Sequence, residues 1–171
     1  KVKGRNTQIY MKYLTVGHEE TEIRIIEDNI FKNCNIFMNF SSKMNGTNYF
    51  YNCNINVLPL IYTIYYNIEN VIVRNCKINK VKMHNSDNFQ IPLTITESDI
   101  NYLFANYSVY TKHEIKIEGN KIDTLSYYSE LQSNRILTRN TINNLLVDTL
   151  QIKHKEFELI NSLEEVKFNT H

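Results

Sequence analysis

Apolar and polar residues alternate along this chain in short phrases that break at nearly regular intervals. Apolar side chains sit two apart, as in Val71 and Val73 or Ile115 and Ile117; a polar step interrupts, and a second apolar stretch begins on an isoleucine (Ile78 then Val81, Ile122 then Leu125). A period of two is the mark of half-buried strands, and the interruptions are bends between them. The phrases IFKNCNI, FYNCNI, IVRNCKI, LTITESDI, IKIEGNKI and ILTRNTI close on Ile36, Ile55, Ile78, Ile100, Ile122 and Ile142, at intervals of 19, 23, 22, 22 and 20 residues. A repeat of this length marks stacked supersecondary units. β-branched residues dominate the apolar positions, which favours strand. One segment, Ser98 to Asn106, also reads as a helix capped by Ser98, but it keeps the repeat and is assigned to strand. The pattern predicts an all-β fold, a single-stranded right-handed parallel β-helix of about six coils.

Stacking the phrases on their isoleucines produces two columns. Two residues before the anchor stand Cys34, Cys53, Cys76, Ser98, Asn120 and Asn140; three before it stand Asn33, Asn52, Asn75, Glu97, Gly119 and Arg139. Equivalent residues of successive coils lie one strand spacing apart, roughly 4.8 Å. The small residues of the first column are expected to form the sharp corner. The asparagines of the second are expected to hydrogen-bond up and down the stack. Residues 1–22 do not match the repeat and read as a leading strand or cap, residues 23–147 as coils, and residues 148–171 as a last coil or cap.

Composition adds limits. The 171 residues suit one domain. Nineteen Lys plus Arg against eighteen Asp plus Glu leave a net charge of +1, with no basic run, so nothing points to nucleic acid. The 25 asparagines fit tight corners, because Asn tolerates the left-handed conformation. The longest apolar stretch, Val57 to Tyr66, contains Pro59 and Thr63 and is too short to span a bilayer as a helix. Three cysteines lack zinc spacing.

The phrases VIVRNCKINKV, IKIEGNKIDTL and ILTRNTINNLL resemble the degenerate repeat of right-handed parallel β-helix proteins, the pectate-lyase-like superfamily, over about Ile23 to Val147. The resemblance implies the fold. Its members include polysaccharide lyases and hydrolases, phage tailspikes, adhesins and non-catalytic scaffolds, so it implies no single activity.

Candidate chemistry is sparse. Stacked Cys34, Cys53 and Cys76 would point the same way, which suits neither a disulfide nor a tetrahedral metal, and they read as packed thiols. Glu97, Asp99, Glu118 and Asp123 occupy adjacent coils but share no acidic column, whereas glycoside hydrolysis needs two facing carboxylates. His18, His84, His113, His154 and His171 occupy no common repeat position. Neither a metal site nor a cofactor is expected. Tyrosines are the strongest candidates for a binding surface: Tyr62 and Tyr107 lie seven residues after their anchors, and Tyr65 and Tyr110 ten after, with Tyr66, Tyr102, Tyr127 and Tyr128 adding to the supply. Exposed, such a column would stack on sugar rings or on another protein.

The sequence therefore predicts a structural or recognition module, non-enzymatic, of a phage tail, virion or cell-surface adhesin. It would bind a glycan or a protein on a lateral face, and a homotrimer is one expected assembly. A polysaccharide lyase or glycoside hydrolase is the rival. A cytoplasmic adaptor or effector domain, consistent with unpaired cysteines, is the third reading.

Overall fold

The computed structural model describes residues 7–16, 25–39, 42–61, 68–84, 92–107, 115–129, 137–148 and 161–169. Its elements are strands: β1 (Thr7–Val16), β2 (Ile25–Glu27), β3 (Asn29–Ile36), β4 (Lys43–Tyr51), β5 (Asn54–Ile61), β6 (Ile68–Arg74), β7 (Lys77–His84), β8 (Leu93–Thr96), β9 (Asp99–Tyr107), β10 (Ile115–Glu118), β11 (Lys121–Ser129), β12 (Leu137–Thr138), β13 (Thr141–Asp148) and β14 (Ser162–Asn169). Each pairs in parallel with the equivalent strand of the next coil. One ladder runs β4–β6–β8–β10–β12 and the other β3–β5–β7–β9–β11–β13–β14. β3 joins them by pairing with β4 through Ile30–Lys32 and with β5 through Asn35 and Ile36. The chain is a parallel β-solenoid.

Register follows the anchors. Ile36 pairs with Ile55, Ile55 with Ile78, Ile78 with Ile100, Ile100 with Ile122 and Ile122 with Ile142. Repeats of unequal length therefore keep the corner in line, and the differences in length fall elsewhere in the coil. The solenoid makes about four turns rather than the expected six. Coils β4–β5 through β10–β11 have both strands, and the first strand of the coil that closes on Ile142 is described for Leu137–Thr138. The segment from Ser98 to Asn106, with its helix-like start, is strand β9 from Asp99 onward.

Inward-facing residues fill the space between the two ladders. Val71, Val73, Leu93, Ile95 and Ile117 come from the first, and the anchors with Leu58, Val81, Leu103, Leu125 and Leu145 from the second, all buried. Phe31 stacks on Phe50 at 5.3 Å between centroids, an aromatic step of the same column. The inward residue after each anchor lies three positions on, not two. The intervening residue at Asn79, Asn101, Asp123 and Asn143 drops out of the register, so the strand bends there and then resumes its alternation. The residues at these four bends lie at the surface.

Candidate functional site: an asparagine-walled lateral groove

Each coil turns at the residue three before its anchor. Asn33, Asn52, Asn75, Glu97 and Arg139 have φ between 53° and 55°, and Gly119 has 67°. This moves the corner from the first column, where it was expected, to the second, whose asparagines also keep an expected bond along the stack, Asn75 Nδ2 donating to Asn52 Oδ1 at 2.8 Å. A positive φ changes the chain's direction within one residue, so the corner needs a residue that accepts the left-handed region, as Gly and Asn do most readily. The neighbouring column of Cys34, Cys53, Cys76, Ser98, Asn120 and Asn140, continued by Asn161, is buried inside that corner.

This buried column carries the longer hydrogen-bonded ladder. The backbone N–H of Cys53 donates to Cys76 Sγ (3.3 Å), that of Cys76 to Ser98 Oγ (3.0 Å), and that of Ser98 to Asn120 Oδ1 (3.0 Å). The N–H of Asn120 donates to Asn140 Oδ1 (2.9 Å) and that of Asn140 to Asn161 Oδ1 (3.1 Å). Each side chain donates in turn to a carbonyl: Cys53 Sγ to Tyr51, Ser98 Oγ to Thr96, Asn120 Nδ2 to Ile95 and Asn140 Nδ2 to Ile117. Thiol, hydroxyl and amide share the column because each both accepts and donates. The cysteines are free and buried. Hydrogen bonding with the Cys76 side chain, then burial, pushes the Cys53 thiol up, and burial does the same at Cys34. They act as structure, and among the described residues no group of His, Cys, Asp and Glu could hold a metal ion.

The surface feature created by this corner is a groove of about 460 Å³ over the anchors Ile36, Ile55 and Ile78. One wall is the residue before each anchor, Asn35, Asn54, Lys77 and Asp99; the other is the bend residue after it, Phe37, Asn56, Asn79 and Asn101. The walls are laced lengthwise: Asn54 Nδ2 donates to Asn35 Oδ1 (2.7 Å), Asn79 Nδ2 to Asn56 Oδ1 (3.5 Å) and Asn101 Nδ2 to Asn79 Oδ1 (3.2 Å). Each amide still has a second N–H and further lone-pair capacity. The groove thus repeats one amide-bearing unit per strand spacing over four rungs, with a cation at Lys77 and a carboxylate at Asp99.

The carboxylates considered from the sequence do not combine. Glu97 is held by Arg74, whose Nε donates to Oε2 at 2.9 Å and Nη2 to Oε1 at 3.0 Å. That hydrogen bond holds the Glu97 carboxyl below its ordinary range, the reverse of what a general acid needs. Asp99 stands between Lys77 and Lys121 in the ladder. Glu118 contacts Lys116 and Arg139, and Asp123 accepts from Asn143 Nδ2 and Thr124 Oγ1.

Of the four tyrosines singled out, Tyr62, Tyr65 and Tyr110 lie outside the described residues, and Tyr107 is the last residue of β9, in register with Ser129. Aromatic side chains on the described outer faces include Tyr49 and Tyr51 on β4, stacked at 6.2 Å, Tyr102 and Phe104 on β9, and Phe37 in the groove wall. The asparagines after the anchor were legible by the same count that produced the columns before it. What the sequence hides is that they face solvent, because that depends on the unpaired bend. The chain matches no family model, no curated protein and no solved structure.

Proposed function

We propose that this protein is a non-enzymatic recognition module that binds a glycan along its lateral groove, of the kind that phage tails, virions or cell-surface adhesins present. One observation carries the reading: the asparagine walls of the groove, repeated over four rungs. Sugar hydroxyls both donate and accept, and a primary amide answers both needs. Amides already laced to one another are pre-oriented, so less side-chain freedom is lost on binding. A groove whose chemistry repeats at roughly 4.8 Å along the stack suits a linear polymer lying parallel to the axis. The enzyme reading has less support, because Glu97 and Asp99 each stand beside basic residues rather than facing a second acid.

The test is a glycan-array screen followed by calorimetry on the best binder, with wild type and a Lys77→Ala, Asn79→Leu double variant. Both side chains are exposed, so the variant should fold, which circular dichroism checks. The expected result is binding that increases with oligosaccharide length and falls about tenfold or more in the variant, the loss of roughly 1.4 kcal/mol. Absence of any bound glycan, or unchanged binding by the variant, would sink the proposal. Polysaccharide cleavage abolished by Asp99→Ala would establish the enzyme reading instead.

A further inference from the structure

Lacing commits only part of the hydrogen-bonding capacity of each groove asparagine. Asn79 gives one N–H to Asn56 Oδ1 and one oxygen lone pair to Asn101 Nδ2. It keeps the other N–H and the other lone pair, on the two ends of one planar group. Asn56 is committed in the same way, its Nδ2 donating to the Met38 carbonyl (3.5 Å) and its Oδ1 accepting from Asn79. Asn56, Asn79 and Asn101 are exposed, so these edges are open to a ligand. The run stops at the next bend, where Asp123 has a carboxylate and no side-chain N–H to give.

An N–H beside a lone pair fits two hydroxyls on adjacent carbons, one accepting from Nδ2 and the other donating to Oδ1. The fit is lost when one of those hydroxyls is replaced by an acetamido group. A secondary amide is planar and trans, so its N–H and C=O point in opposite directions and one asparagine edge meets only one of them. Charge selects as well. The ionic side chains of the groove are Lys77 and Asp99, one of each sign and adjacent in the ladder. The next rung repeats the pair with Lys121, in register with Asp99, and Asp123 at the bend. A polyuronate laid along the axis would gain at Lys77 and meet a like charge one rung later at Asp99. A neutral chain meets no such opposition.

We infer, resting on the reading of the groove as a glycan site, that its ligand is a neutral hexose polymer with unsubstituted vicinal hydroxyls, held by the edges of Asn56, Asn79 and Asn101. The test is calorimetry of the whole chain with matched oligosaccharides: glucose, mannose and galactose backbones, each beside its 2-acetamido and its uronic acid counterpart. A neutral member should bind, and either substitution of that backbone should weaken binding at least tenfold. Asn79→Asp, folded by circular dichroism, keeps the acceptor, loses the N–H and should also bind at least tenfold more weakly. Asn52→Asp makes the same charge change on the exposed corner column outside the groove, where the side chain only accepts from Asn75, and should bind as wild type does. An acetamido or uronic counterpart bound as tightly as its neutral parent would overturn the inference and leave the glycan groove standing. Equal affinities of the two variants would overturn it by removing Asn79 from the contact. No binding in any set would remove the groove reading and this inference together.

Discussion

A left-handed residue at the same point of every coil is what turns this chain between its two ladders. Asn75 sits there at φ 53°, between Asn52 and Glu97 in the column. Replacing it with valine places a β-branched side chain in a region costing L-residues about 1–2 kcal/mol, whereas glycine is accommodated there. Urea unfolding should show Asn75→Val destabilised by about 1–2 kcal/mol and Asn75→Gly far less affected; equal losses would mean that the side chain's bond to Asn52, not the backbone, governs the corner. One residue on, the requirement is chemical. Cys76 Sγ accepts from the N–H of Cys53 and donates to the carbonyl of Arg74. Serine performs both roles, as Ser98 does in the next coil, while valine of similar size performs neither. Cys76→Ser should be the more stable variant by about 1–3 kcal/mol, the cost of a buried unsatisfied group, again read from urea midpoints. Both columns were legible in the sequence. Their division of labour was not, because residue size suggests the corner whereas φ decides it.

At the scale of elements, the repeat told strand from helix where local signals conflicted. Ser98 resembles a helix cap, yet its hydroxyl accepts the N–H of Cys76 and donates to Thr96, so tertiary hydrogen bonds override the local preference. The groove walls depend on a further element-level fact, the bend after each anchor, which appears in the sequence only as a three-residue apolar spacing. Position within a ladder also sets local stability. Among the described strands, β7, β9 and β11 have a long neighbour on each side, whereas β14 pairs with β13 alone. In stacked architectures stability is carried by nearest-neighbour interfaces, so protection should decline towards β14. Hydrogen exchange by mass spectrometry is expected to find peptides from β7 and β9 the slowest and those covering β14 faster. Protection maintained undiminished through β14 would show that another part of the chain covers it.

The whole molecule contains no hairpin among its described strands: every pairing is parallel and joins residues about one coil apart or more. Such a chain cannot gain its first sheet contacts from adjacent residues. It must close a loop of some 20 residues for each new rung before that rung is stabilised. Refolding should therefore be slow, on the order of seconds as in other β-rich folds. The rungs with long strands on both ladders, around Cys76, are the natural place to begin, since one closure there forms the most contacts. Asn140 stands towards the β14 end of the column and serves a rung that would be added later. These positions make the order of assembly measurable. Cys76→Val should mainly slow refolding, while Asn140→Ala, which strands the N–H of Asn120 and the carbonyl of Ile117, should mainly speed unfolding. Stopped-flow chevrons of the two variants decide it. If Asn140→Ala slowed refolding and Cys76→Val did not, the solenoid would grow from the Asn140 end, and the asparagine part of the ladder would be its nucleus.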